Sequence, residues 1–244
     1  MIFPDRISRK FQKISNNRYE KLKKRKKESL DEKDYKRYNS FHEQIHFEYS
    51  SKEELHLPTR FGNILLSAEQ YSNERYGMDA AFWWPRLWPL LPEEIKTDIE
   101  ESLTPVIALL NFALLIPIFS IIIWFWSFNH KSTFLVDAMP EFIVHLIPVI
   151  LGFILAWIAY RSATLQAINY GTSIRAAIDL YRFNLLTALH QKPPKNQNEE
   201  EEIWKDLLAV LYMSDKSKIR DYYYASSKII DGGDNQGKKQ DENN

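Results

Sequence analysis

The chain contains no cysteine, which excludes disulfides, thiolate nucleophiles and Cys-based zinc sites. Glycine is scarce. Seven residues in 244, two of them Gly232 and Gly233, leave little material for tight β-turns or phosphate-cradling loops, so the composition favours helix. No P-loop, Gly-rich dinucleotide turn or G-x-S-x-G elbow is present, and the enzyme classes that depend on them lose their support. The basic N-terminus is followed by no apolar core of signal-peptide length before charges return, so a cleaved secretory signal is not expected.

An excess of one charge sign is also missing, since Lys plus Arg and Asp plus Glu both total 32. The balance conceals an asymmetry. From Met1 to Lys27 eleven basic residues face only Asp5 and Glu20, whereas Glu93 to Glu101 carries five acids against Lys96.

What the chain does have is two long apolar runs. No side chain is charged from Ser102 to Asn129, a length beyond the roughly 20 residues needed to cross a bilayer core. A second uncharged run, Phe142 to Tyr160, lies between Glu141 and Arg161. Nothing else in the chain is apolar enough to wrap two such helices inside a soluble core. Trp124, Trp126 and Trp157 fall near the ends of the runs, where aromatic belts sit at membrane interfaces. The connector carries Lys131 alone, whereas the flanks carry Arg75, Arg86, Lys96, Arg161, Arg175 and Arg182. That asymmetry places both termini in the cytoplasm.

The expected fold is therefore all-α, an integral plasma-membrane or inner-membrane protein with a transmembrane hairpin and cytoplasmic helical flanks. Residues 1–57 form a basic, charge-rich region and 58–101 a juxtamembrane segment. The first span covers 102–128, an external loop 129–141 and the second span 142–160. A cytoplasmic helical region follows at 161–230 and a disordered tail at 231–244. The basic cluster within residues 6–27 is suited to anionic lipid; aromatic interleaving is sparse, so nucleic-acid binding is not expected.

Several local patterns add detail. Trp83, Trp84 and Trp88, in a stretch too short and Pro-rich to span, suggest an interfacial segment or one packed on the cytoplasmic ends of the spans. Pro92-Glu93-Glu94 predicts a helix start. Ala159, Ala163, Ala167 and Gly171 recur every four residues, a stripe that lets another helix come close, either the first span or the same helix of a second copy; Ala as a plain helix former explains it equally well. Asn198 before Glu199 predicts another helix start, and Ile203, Leu207, Leu208 and Leu211 give that helix an apolar face in need of a partner.

Three blocks stand in order around the hairpin: Pro58-Thr59-Arg60-Phe61-Gly62-Asn63 with Glu69; Glu74-Arg75-Tyr76-Gly77-Met78-Asp79 leading to Trp84-Pro85-Arg86-Leu87; and Tyr170-Gly171 with Asp179-Leu180-Tyr181-Arg182, then Glu201 and Trp204. Together they resemble an uncharacterised family of bacterial multi-pass membrane proteins, over Pro58 to Leu208. The resemblance implies topology and class and brings no activity; longer members have further hydrophobic segments upstream, which makes this chain a short variant or a fragment. Arg60, Glu69, Glu74, Arg75, Asp79, Arg86, Asp179 and Arg182 are expected to form a buried polar network joining the pre-span segment to the helix after the second span; a ligand site is the second reading.

One catalytic pattern occurs. His42-Glu43-Gln44-Ile45-His46 matches H-E-x-x-H, in which two His one turn apart bind zinc and Glu acts as general base. Tyr49, Ser50 and Ser51 predict that the helix ends soon after His46, Glu48 is charged where such helices are apolar, and His56, Glu69 and Glu74 stand at no familiar spacing for a third ligand. The leading expectation is a non-enzymatic protein without cofactor, anchoring a cytoplasmic helical module for self-association or a membrane-protein partner. The alternatives are a membrane-bound zinc metallopeptidase and an oligomeric, membrane-perturbing or pore-forming effector.

Overall fold

A computed structural model describes residues 5–31, 33–129 and 141–212, and every regular element among them is a helix. The helices are α1 (Asp5–Asp31), α2 (Tyr35–Glu48), α3 (Arg60–Tyr76), α4 (Ala80–Leu87), α5 (Glu93–Asn129), α6 (Glu141–Ala188) and α7 (Gln197–Leu211), with single 3-10 turns at Glu53–Leu55 and Trp88–Leu90. The all-helical expectation holds for these residues. The expected external loop, apart from Asn129 and Glu141, and the expected tail lie outside them.

The described chain forms two compact units, one from the residues up to Tyr71 with Pro92–Ala176, the other from Ser72–Leu91 with the residues from Ala177 on. In the first, α1 turns into α2 through Lys33, whose φ of 57° is left-handed, and Asp34 caps α2 by accepting from the Arg37 amide. Ser15, Tyr19 and Ser29 are the buried positions of α1, spaced so that they share one side of the helix. Most of the other described side chains of α1 are polar or charged and exposed.

Helices α5 and α6 contain 37 and 48 residues, and Glu93–Trp126 and Leu146–Ala188 are each long and apolar enough to cross a membrane. The first starts at Glu93, directly after Pro92, as the sequence predicts. The second runs on past Arg161 without a break, so the apolar run is only the first part of a helix about 70 Å long. Phe112, Leu114, Phe125 and Trp126 on α5 and Ile150, Phe153 and Trp157 on α6 are exposed. Between the helices the packing is close: a Cβ added at Gly152 would lie 2.4 Å from Ser120 Oγ and 2.5 Å from Ser120 Cβ. Small residues at this crossing let the backbones approach.

The second unit is built on Gly77. It ends α3 at a φ of +70°, and a Cβ there would stand 2.5 Å from Glu201 Cγ of α7. Asp79 then caps α4 by accepting from the Phe82 amide at 3.2 Å. Trp83, Leu87, Trp204 and Leu207 form the buried centre, with the two indoles 5.1 Å apart and tilted edge to face. Helix α7 begins two residues earlier than the sequence suggests: Asn196, and not Asn198, accepts from the Glu199 amide.

The Gly152 crossing yields the first expected outcome. Gly152→Ala overpacks the contact and destabilises the protein by about 1–3 kcal/mol, read as a lower thermal midpoint in detergent. Adding Ser120→Gly removes both clashing atoms and restores most of the loss; additive losses in the double variant would show that the two helices do not meet here.

Candidate functional site

The H-E-x-x-H residues lie on α2, with the His42 and His46 rings stacked 6.5 Å apart at 16°. Tyr38 stacks on the other side of His42 at 6.1 Å. His42 Nδ1 stands 2.7 Å from Lys26 Nζ, so an ammonium donates to that nitrogen and competes with any metal for its lone pair. The His46 ring packs edge-on against Phe47 and Tyr71. Glu43 is exposed.

Of the three candidates for a third ligand, His56 is buried with both ring nitrogens engaged, Nδ1 with Asn16 Oδ1 and Nε2 with the Ser50 carbonyl, each at 2.9 Å. Its ring sits edge-on to Tyr19 and Tyr49. Glu69 and Glu74 are exposed positions of α3. Among the described residues no group of three or more His, Asp or Glu side chains is placed to hold a metal ion.

The polar chemistry of the first unit centres instead on α3. Asn63, 1% exposed, accepts from the Leu57 amide at 2.7 Å and donates to Ser15 Oγ, the Leu57 carbonyl and the Thr59 carbonyl. Thr59 accepts from the Gly62 amide, and Arg60 donates to Glu48 through Nε at 2.8 Å and through Nη2. The paired carboxylate raises the Arg60 pKa above its ordinary value, while burial raises that of the Tyr49 phenol. Near the surface, Lys23 reaches Glu20 and Glu53 at 3.0 Å, and the Lys23 hydrogen bond holds Glu53 below the usual carboxylate range.

Arg175 is the feature that sequence reading misses. It is buried on α6, donates to Ser67 Oγ at 2.8 Å and the His46 carbonyl at 3.3 Å, and lies over the Phe47 and Tyr71 rings. A charge is tolerated inside because carbonyl, hydroxyl and π-faces replace water. The sequence shows Arg175 only as one more flanking positive charge.

Residues of the expected eight-residue network have partners of several kinds. Arg60 pairs with Glu48, Asp79 is a helix cap, and Arg86 donates to the Phe82 carbonyl and lies 3.8 Å from the Phe82 ring centre. Arg75 contributes its carbonyl, to Gln197. Two members do join helices in the second unit: Asp179 accepts from Tyr76 OH at 2.7 Å, and Arg182 Nε donates to Glu200 of α7 at 2.7 Å. Tyr76 and Glu200 lie outside the expected set, because long-range pairing leaves no spacing rule in a sequence.

One further expectation changes. Trp83 was grouped with the interfacial Trp residues but is 0% exposed, packed on Trp204; its neighbours Trp84 and Trp88 are half-buried with rings 5.8 Å apart. Trp124 is half-buried against Phe125, whereas Trp126 and Trp157 are exposed, and the Arg161 guanidinium lies 5.2 Å from the Trp157 ring centre. The stripe Ala159, Ala163, Ala167 and Gly171 is buried within the chain, with Ala68 of α3 a mere 3.1 Å from a Cβ placed at Gly171. On α7, Trp204 packs on Trp83 of α4 and Leu207 is buried, whereas Leu211 is 45% exposed.

No family model matches the chain, and neither a curated protein nor a solved structure is similar to it.

Breaking the Arg182–Glu200 pair strands a carboxylate whose side chain is only 7% exposed. Arg182→Met is expected to cost about 3–5 kcal/mol, measured by urea unfolding followed through Trp fluorescence. Arg182→Met with Glu200→Leu recovers most of it. For the α2 motif, metal analysis of the purified protein is expected to find no stoichiometric zinc; about one zinc per chain, lost on His46→Ala, would make Glu43 the general base.

Proposed function

We propose that this chain is a non-enzymatic integral membrane protein whose α5–α6 hairpin anchors a cytoplasmic helical module for self-association or partner binding. The observation that carries the reading is the exposure of the two apolar helices. Only 11% of the most apolar window of the first and 22% of that of the second is covered by the rest of the described chain. A core helix of a soluble protein is wrapped on all sides, and exposed apolar area on this scale belongs in lipid. Exposed Trp126 and Trp157, the latter beside Arg161, suit the two interfaces.

The polar clusters support a structural role for the rest of the chain. Caps, ion pairs and the Asn63 bonds are directed at other parts of the same chain, which is the pattern of a scaffold holding helices together. The exposed Lys and Arg residues of α1 face water on the side that the Lys/Arg asymmetry assigns to the cytoplasm, where anionic headgroups attract them by about 1 kcal/mol each. The ordered sequence blocks, which resemble those of bacterial multi-pass membrane proteins, agree with the same placement in the plasma or inner membrane.

Because the chain has no cysteine, single-cysteine labelling tests the topology directly. Ser132→Cys is expected to react with a membrane-impermeant maleimide in intact cells, and Lys205→Cys only after permeabilisation. Labelling of Lys205→Cys in intact cells would overturn the orientation, and complete release of the protein by alkaline carbonate would overturn membrane insertion itself.

A further inference from the structure

Helix α6 has an outward face beyond its apolar run that differs from every other exposed helical surface described. After Arg161 the exposed positions are Leu165, Asn169, Thr172 and Ala176, continuing to Leu180, Phe183 and Thr187, with Asn184 and Ala188 exposed beside them. Steps of three and four residues keep them on one side of the helix, opposite the buried Ala163, Ala167, Gly171 and Arg175. None is charged. By contrast, the exposed turns of α5 before its apolar run present Glu93, Glu94, Asp98, Glu100 and Glu101, and α7 presents Glu202 and Lys205, as solvated faces ordinarily do.

The face is also less polar than its composition. Thr172 and Thr187 donate their hydroxyls back to the Ile168 and Phe183 carbonyls at 2.8 and 3.0 Å, so neither needs a partner outside the helix. Leu180 and Phe183 are 66% and 39% exposed.

Lipid does not reach the far part of this face. Leu180 follows Tyr160 by about 30 Å of helix, and the headgroup zone extends only about 5–8 Å beyond the hydrocarbon on each side. A tilt of about 40° still leaves Leu180 more than about 20 Å above the hydrocarbon.

We infer that this face is the contact between α6 and the α6 of a second copy, an inference that rests on the membrane reading for its geometry. Two copies inserted in the same sense are related by rotation about the membrane normal, so their α6 helices run parallel and each seam residue meets its own counterpart. Under that symmetry a Lys or Glu would face its like. A seam that meets itself must therefore be neutral along its whole length, and from Leu165 to Thr187 this one is. Asn169, whose amide donates to Gln166 at 3.0 Å in the single chain, supplies an amide on the seam, and Asn at such a position fixes register in parallel pairs. The spacing averages about 3.7 residues, close to an 11-residue repeat, which gives nearly straight or slightly right-handed pairing.

The Cys-free chain again provides the test. Thr172→Cys, Ala176→Cys and Thr187→Cys on the seam, with Glu202→Cys and Lys205→Cys as exposed controls, are oxidised in native membranes with copper phenanthroline. Seam positions are expected to form disulfide-linked dimers at least about tenfold faster than controls, because pairing raises the local thiol concentration. Adding Leu180→Glu to the Ala176→Cys variant sets like charges face to face and is expected to abolish the cross-link; Leu180 is exposed in the single chain, so the variant is expected to keep its helical content by circular dichroism. Truncation after Tyr212 is expected to leave cross-linking intact.

Seam thiols that link no faster than controls in a carbonate-resistant protein would overturn the pairing while leaving the membrane reading standing. Linking of the seam to a different protein, loss of linking on truncation, or linking that survives Leu180→Glu would each overturn it as well. Release by carbonate would instead sink the membrane reading first.

Discussion

Because α6 runs unbroken from Glu141 to Ala188, one buried stripe of small residues serves successive neighbours, Ser120 of α5 at Gly152 and Ala68 of α3 at Gly171. The stripe can do this only while the helix stays regular and its Cβ atoms stay small. The other features of the first unit follow from that contact: α3 is held close enough for Ser67 to reach Arg175, and α3 in turn carries Asn63 to Ser15 of α1 and Arg60 to Glu48 of α2. A chain of polar bonds thus links the charged N-terminal helix to α6 through α3.

The sequence blocks that stand out around the hairpin acquire a physical meaning. In Pro58 to Asn63, Thr59 caps, Arg60 pairs, Gly62 leaves room beside Thr59 and Leu57, and Asn63 binds the preceding loop to α1. In Glu74 to Asp79, Tyr76 binds Asp179, Gly77 adopts a backbone only glycine takes cheaply, Met78 is buried, and Asp79 starts the next helix. The residues named here have packing, pairing or capping duties.

Periodicity and length were what could be read in advance. Two uncharged runs, the Pro92 start, the end of α2 just past His46 and the continuation of α6 beyond Tyr160 all depend on neighbours in sequence. What escaped depends on neighbours in space. Glu48 and Glu200 look like any other acids until Arg60 and Arg182 arrive beside them, and Trp83 resembles Trp84 until Trp204 covers it. The start of α7 was misplaced for a local reason: four consecutive glutamates suit either Asn196 or Asn198 as the cap. Asn196 takes the cap, and Glu199 also accepts from the amide of Lys195, the residue before it, at 2.7 Å.

Gly152 and Gly171 lie nineteen residues apart on the same helix, each seated where a side chain would collide. Inserting or deleting one residue between them would turn the far part of α6 by about 100°, swinging Gly171 away from Ala68 and a bulkier neighbour into its place. The interval is therefore a fixed phase angle, and α6 behaves as an axle: any rotation at the Gly152 crossing is delivered, degree for degree, to the contact that seats α3.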